Sequence, residues 1–193
     1  MTNADLDTRI RACDRCPLRS GCRSPIPGDG HFGSRILFIG EAPGKNEDIE
    51  GVPFVGRSGK LLTSILQDLG LERERDYYIT NIVKCRPPDN RDPSPAEIAA
   101  CSGYLVEQLE LMRPDVIVTL GRFSFNFLVP NRGMTQSRGQ CFRIHGVADR
   151  PLSFAPVVLA CYHPAVALYD PKKRGIITED LSKLPEIIAS VQL

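Results

Sequence analysis

The sequence predicts an α/β protein: a three-layer sandwich around a mainly parallel central sheet of about four strands. Three observations predict it. Four short runs are predominantly apolar without polar alternation, as in strands whose two faces are both covered. Helical apolar spacing fills the intervals between them. No repeat, low-complexity tract or long linker interrupts the alternation, and strands alternating with helices build a layered parallel sheet.

Residues 35–40 (RILFIG) are the first run, and 77–83 (YYITNIV), 116–120 (VIVTL) and 157–161 (VVLAC) are the others. Leu61, Leu62, Ile65, Leu66 and Leu69 fall at helical spacing, and Gly70 ends that helix. Ser94 and Glu97 make a capping box with Pro95 at the first helical position. The helix continues through Cys101, Leu105, Leu109 and Met112 until Pro114 stops it. Residues 121–128 predict a shorter helix, and 141–145 (CFRIH) an edge strand or hairpin arm. The tail over 178–188 reads as helical, with Pro185 breaking or restarting it. Ligands of open parallel sheets sit at the carboxyl ends of the strands, so the residues that follow each run are the candidate site.

The 193 residues amount to one domain, 1–193, with 42% hydrophobic and 24% charged residues, which excludes wholesale disorder. The formal net charge is +1, so a basic surface must come from local clustering. No apolar run reaches the ~18 residues of a membrane span. The start carries Asp5, Asp7, Arg9 and Arg11 and no apolar core of a signal peptide. A cytoplasmic location without a membrane partner is expected.

Three glycine-rich segments imitate phosphate motifs and fail. Gly28, Gly30 and Gly33 match G-x-G-x-x-G but precede the first strand, whereas a dinucleotide fingerprint follows its strand and opens a helix. Residues 40–45 (GEAPGK) and 56–60 (GRSGK) miss the P-loop spacing, and the first also lacks the magnesium hydroxyl.

Seven cysteines, an odd number without a signal peptide, argue against a disulfide framework. Cys13 and Cys16 make a C-x-x-C pair, Cys85 follows a strand, and Cys101 lies in the capped helix. Four thiolates from three places suit either tetrahedral zinc or a [4Fe–4S] cluster. Cys141 and Cys161 sit in strand-like runs and read as buried structural cysteines. Cys22 is ambiguous, and Cys13, Cys16, Cys22 and His31 form an alternative zinc knuckle.

Four segments occur in order: 40–48 (GEAPGKNED), 53–56 (PFVG), 80–87 (TNIVKCRP) and 162–165 (YHPA). Together with the four cysteines they resemble the family-four uracil-DNA glycosylases, the iron–sulfur branch of that superfamily, from Cys13 to about Ile188. The resemblance implies a [4Fe–4S] cluster on Cys13, Cys16, Cys85 and Cys101 that staples the N-terminal segment. It implies a monofunctional hydrolase that cleaves the N-glycosidic bond of deoxyuridine in single- or double-stranded DNA. The abasic site left behind would initiate base excision repair, and a monomer is expected.

The residues agree with that chemistry. A base must leave the stack to be cleaved, and Phe54, in a Pro- and Gly-rich loop, offers a flat apolar surface to receive it. Uracil presents an N3–H donor and an O4 acceptor, which the carboxamide of Asn81 complements at a strand's end. Cytosine presents the opposite pattern. The departing uracil carries negative charge, and His163 resembles the family's catalytic histidine that would stabilise it. Backbone N–H groups of Glu41, Ala42 and Gly44 are further candidates to hold a uracil oxygen. The best-known branch of the superfamily carries a water-positioning Asp where this chain has Ala42. That leaves Glu41 and Glu47 to orient water or shape the pocket, without a choice between them.

Five arginines between Gly121 and Arg150 face Asp149 alone. After the His-Pro pair come Leu168, Tyr169, Lys172, Lys173 and Arg174, which resemble the family's wedge loop: an apolar side chain fills the gap of the flipped base and cations hold phosphates. Three rival readings compete with this one. A covalent uracil-trapping relative needs a His-bearing loop between Arg86 and Ala100, where this chain has no His. A non-catalytic iron–sulfur DNA-binding module would bind without releasing base. A nucleotide-binding protein is weakened by the failed phosphate motifs.

Overall fold

The computed structural model describes residues 2–191. The first half contains α1 (Asn3–Arg11), α2 (Leu18–Gly21), β1 (Asp29–Gly30), β2 (Ile36–Gly40), α3 (Lys45–Glu50), α4 (Arg57–Asp68), α5 (Arg73–Asp76) and β3 (Tyr77–Asn81). The second contains α6 (Pro95–Met112), β4 (Val116–Leu120), α7 (Arg122–Leu128), α8 (Met134–Ser137) and β5 (Cys141–Arg143). It continues with β6 (Gly146–Val147), β7 (Arg150–Pro151), β8 (Val157–Cys161), α9 (Val166–Tyr169), α10 (Lys172–Leu181) and α11 (Leu184–Val191).

The central sheet has six strands, not about four, in the order β1-β3-β2-β4-β8-β5. The four sequence-predicted strands are its parallel centre, and β1 and β5 pair antiparallel at the two edges. The β1 edge carries no sequence signal because two residues, Asp29 and Gly30, make no apolar run; β1 exists through its pairing with β3. The region around 141–145 does supply an edge strand, β5. That position exposes Cys141, contrary to the expectation that it is buried, while Cys161 in the central β8 is fully covered.

Alternation along each central strand sorts the core into two. Leu37, Ile39, Tyr78, Ile117 and Val158 pack with Leu6 and Ile10 of α1, Leu105 of α6 and Phe125 of α7. Ile36, Phe38, Ile79, Val118 and Leu159 pack with Leu62 and Leu66 of α4 and Ile177 and Leu181 of α10. Helices thus cover both faces, as the continuous apolar strands require. The predicted capping box closes: Glu97 N–H donates to Ser94 Oγ, and Ser94 N–H to the Glu97 carboxylate. Pro185 falls in the first turn of α11, where its missing N–H costs nothing, so the tail is two helices.

Gly28 and Gly30 serve packing. A Cβ at Gly28 would meet the Tyr78 ring at 2.5 Å, and one at Gly30 the Tyr77 carbonyl at 2.5 Å. Both have positive φ, 155° and 102°.

Candidate active site

The carboxyl ends of β2, β3 and β8 open into a cavity of about 450 Å³. Its walls include Glu41, Ala42, Gly44, Glu47, Phe54, Asn81 and His163, so the structure brings every sequence-predicted catalytic and base-contacting residue together. The β2–β3 ladder does the placing. Gly40 pairs with Asn81, and beyond the strands Ile82 N–H donates to Gly40 O and Val83 N–H to Glu41 O, each at 3.0 Å.

Asn81 is 3% exposed, and its Oδ1 has no hydrogen-bond partner among the described residues. A buried acceptor left unpaired costs about 1–3 kcal/mol, so this one awaits a donor.

Phe54 has a φ of 56°, a left-handed conformation that is unfavourable for an aromatic residue. Its loop is clamped from two sides. Glu47 Oε1 accepts from Val55 N–H at 3.0 Å and Gly56 N–H at 2.7 Å. The Arg73 guanidinium donates to Pro53 O and Phe54 O at 3.1 and 3.3 Å, and pairs with Asp29 at 3.0 Å. The other Glu47 oxygen lies against Gly44, where a Cβ would come within 2.7 Å. Glu47 therefore shapes the loop that holds Phe54.

His163 follows β8, and its ring centre lies 6.0 Å from that of Phe54. Ala165 N–H donates to His163 Nδ1 at 3.1 Å. A nitrogen that accepts is unprotonated, so the neutral ring carries its proton on Nε2. Burial holds the imidazole pKa down to about 4, with Glu47 pulling the other way. Glu41 moves oppositely: burial first, then the Asp92 carboxylate, push its pKa up to about 7, while Arg122 opposes.

A Uracil DNA glycosylase superfamily model matches residues 27–184. The chain belongs to the uracil-DNA glycosylase superfamily. It is 46% identical to the type-4 uracil-DNA glycosylase of Saccharolobus solfataricus, over 98% of this chain and 88% of that protein. It is 42% identical to the type-4 enzyme of Archaeoglobus fulgidus, over 97% and 94%. A type-5 uracil-DNA glycosylase from Thermus thermophilus is 36% identical over 72% of this chain and 68% of its own length.

In this uracil-DNA glycosylase superfamily member the loop after β3 adds wall residues the sequence reading missed: Pro87, Asn90 and Arg91. Arg91 is held by two bonds to Glu97, 2.6 and 2.9 Å, and Asn90 Oδ1 accepts from Arg86 Nε at 2.8 Å. The available signal was position, since this Pro-rich stretch follows the strand that carries Asn81. Ser58 and Tyr169 were also missed as walls.

Cys13, Cys16, Cys85 and Cys101 line a second, smaller cavity. Its walls hold no histidine or carboxylate, and Lys84 N–H donates to Cys101 Sγ at 3.3 Å. Burial pushes the Cys85 and Cys101 thiols up, Cys85 with Cys22 beside it. Among the described residues no group of three or more His, Cys, Asp or Glu side chains is arranged to hold a single metal ion.

Leu168 and Tyr169 lie on the one-turn α9, and Lys172, Lys173 and Arg174 open α10. Tyr169 is 89% exposed at the cavity's edge, whereas Leu168 is half-buried. Lys173 lies over the Tyr162 ring, and Arg174 bonds Ser64 Oγ and Asp68. Of the arginines between Gly121 and Arg150, Arg138 is committed to the buried Asp180 at 2.8 Å. Among the described residues no helix is long and apolar enough to cross a membrane.

Proposed function

We propose that this protein is a type-4 uracil-DNA glycosylase, a single-domain monofunctional hydrolase that releases uracil from DNA and leaves an abasic site. The unpartnered Asn81 Oδ1 carries the reading. In a pocket with an aromatic wall and a neutral imidazole donor, it asks for a ligand edge that donates, as uracil N3–H does.

The extruded uracil stacks on Phe54 and pairs its N3–H and O4 with the Asn81 carboxamide. As the C1′–N1 bond breaks, its electron pair leaves with the base. His163 Nε2–H donates to O2, where negative charge gathers; a neutral donor suits an anion that departs before it takes a proton. Glu41 orients the water whose oxygen bonds C1′, and its carboxylate receives the water's proton. Glu47 does not compete for this role because its Oε1 is occupied by two amides. Among the described residues the cavity walls contain no lysine, the side chain that lyase chemistry through an amine would need.

The second cavity would hold a [4Fe–4S] cluster on Cys13, Cys16, Cys85 and Cys101. An all-sulfur donor set with an N–H bond to one sulfur suits it. Bound there, it would cross-link the N-terminal segment, the segment after β3 and α6 through Cys13, Cys16, Cys85 and Cys101; glycosidic hydrolysis itself moves no electron. Leu168 and Tyr169 fill the stack behind the flipped base, and Lys172, Lys173 and Arg174 hold phosphates.

Purified protein is incubated with a strand carrying one deoxyuridine and then treated with alkali. Scission at that position alone is expected, and an intact strand overturns the assignment. Iron and sulfide should each be present at about four per chain, and both should be lost in Cys101→Ala. Stoichiometric zinc without iron after anaerobic purification refutes the cluster.

A further inference from the structure

Lys84 is 1% exposed, and every polar atom it has is engaged. Its ammonium donates to Thr80 Oγ1 at 2.6 Å, Gln108 Oε1 at 2.7 Å and the backbone carbonyl of Asn81 at 2.8 Å. Those three bonds use all three ammonium protons, and all three acceptors are neutral. Its own N–H goes to Cys101 Sγ, and its carbonyl accepts from Ile26 N–H at 2.8 Å. The network continues one step further, since Thr80 Oγ1 and Gln108 Nε2 both donate to Pro27 O. One residue thus joins the end of β3 and α6 through its side chain and the N-terminal segment through its carbonyl.

Burying an ammonium among neutral acceptors is expensive, and apolar replacement of buried charges is often neutral or stabilising. Stability alone gives little reason for a lysine here. Its placement gives a better one. The carbonyl it holds belongs to the residue whose Oδ1 is left unpaired among the described residues, in the base cavity, and the next residue after Lys84 is Cys85. Residues 81–84 form the turn between the two cavities, and the ammonium closes that turn on itself.

We infer that Lys84 is a positioning residue: it holds the turn that aims the Asn81 carboxamide and ties that aim to the cysteine cavity. The inference rests on Asn81 as the reader of uracil. It does not touch the base, so its loss should be read in recognition of uracil and not in grip on DNA.

The test uses Lys84→Met in the metal-loaded protein, which keeps the stem's length and removes the donors. Expected are a tenfold or greater fall in single-turnover excision and a similar weakening of inhibition by free uracil. Affinity for a duplex with an abasic-site analogue should stay within twofold and iron content unchanged. Lys84→Gln, which restores two donors, should recover part of the uracil affinity. Wild-type excision and uracil affinity in Lys84→Met overturn the inference, as does a loss confined to thermal stability. If Lys84→Met does not accumulate folded, Gln108→Leu removes one acceptor away from the cavity wall and should weaken free uracil threefold or more; no change there is equally fatal. Asn81→Asp is the control. If it leaves uracil binding intact, the reading of Asn81 has failed; if it abolishes binding while Lys84→Met binds normally, only the positioning role has.

Discussion

Gly40 and Asn81 are register partners on β2 and β3, and the Gly40 Cα lies directly against the Asn81 carboxamide. A Cβ at position 40 would stand 2.4 Å from Oδ1 and 2.5 Å from Phe54 Cζ. The absence of one methyl group therefore lets the Asn81 carboxamide and the Phe54 ring share a wall. Gly40→Ala is expected to displace one or both. Misplacement by about 1 Å costs on the order of 10²-fold in rate, so excision should fall by about that factor while iron content holds. Wild-type kinetics would mean that the wall yields without consequence.

His163 should act on the leaving base and on nothing else. Loss of one oxyanion donor costs about 10²–10³ in rate, so His163→Ala should lower single-turnover cleavage by that factor with DNA affinity nearly intact. A variant that binds poorly but cleaves quickly contradicts the assigned role.

Glu41 sets an expected pH dependence. With its pKa raised to about 7, the carboxylate that orients water forms as pH rises through 7. The rate on subsaturating substrate should climb with a midpoint near 7, and Glu41→Gln should be slow and flat. His163 adds no limb near neutrality, because its ring is already neutral above about pH 4. Its sign is visible in stability instead. The folded pKa lies below the unfolded value of 6.5, so the unfolded chain takes up the proton first as pH falls. That contribution is complete above about 6.5 and is lost towards 4, and His163→Gln should flatten this part of the Tm–pH curve.

Neutralising Lys172, Lys173 and Arg174 together should weaken DNA binding and flatten its salt dependence. Each phosphate contact contributes about −0.9 to the log–log slope on duplex DNA. The Arg174–Asp68 pair is exposed and weak, so it can release to a phosphate. Leu168→Ala and Tyr169→Ala leave charge alone. If the tyrosine is the wedge, its loss should harm duplex cleavage more than the leucine's, and both should matter less on single strands, which offer no stack to open. Equal losses on the two substrates would remove both from that role.

The central strands were legible because burial on both faces leaves an uninterrupted apolar run, which few other structures produce. Asn81 and His163 were legible for a related reason: polar residues directly after such runs stand where parallel sheets bind ligands. The edge strand at Asp29 was not legible, since its pairing depends on the neighbour it meets. Cys141 was misread because a strand-like run does not say whether it lies at the centre or the edge.

The choice between Glu41 and Glu47 needed coordinates. Both follow β2 in a motif rich in acids, and local sequence carries no record of which carboxylate meets the amides of Val55 and Gly56. Lys84 is the sharper case, since by itself it reads as an ordinary cation after a strand. What the sequence determined alone was periodicity: the layers, the strand ends, the cap and the residue types awaiting at each end. What only the tertiary structure decided was which polar groups are used up and which are left over. Hydrogen bonds and burial depend on segments distant in the chain, such as Thr80 and Gln108 closing around one ammonium while both donate to Pro27 O, and no local pattern encodes that meeting.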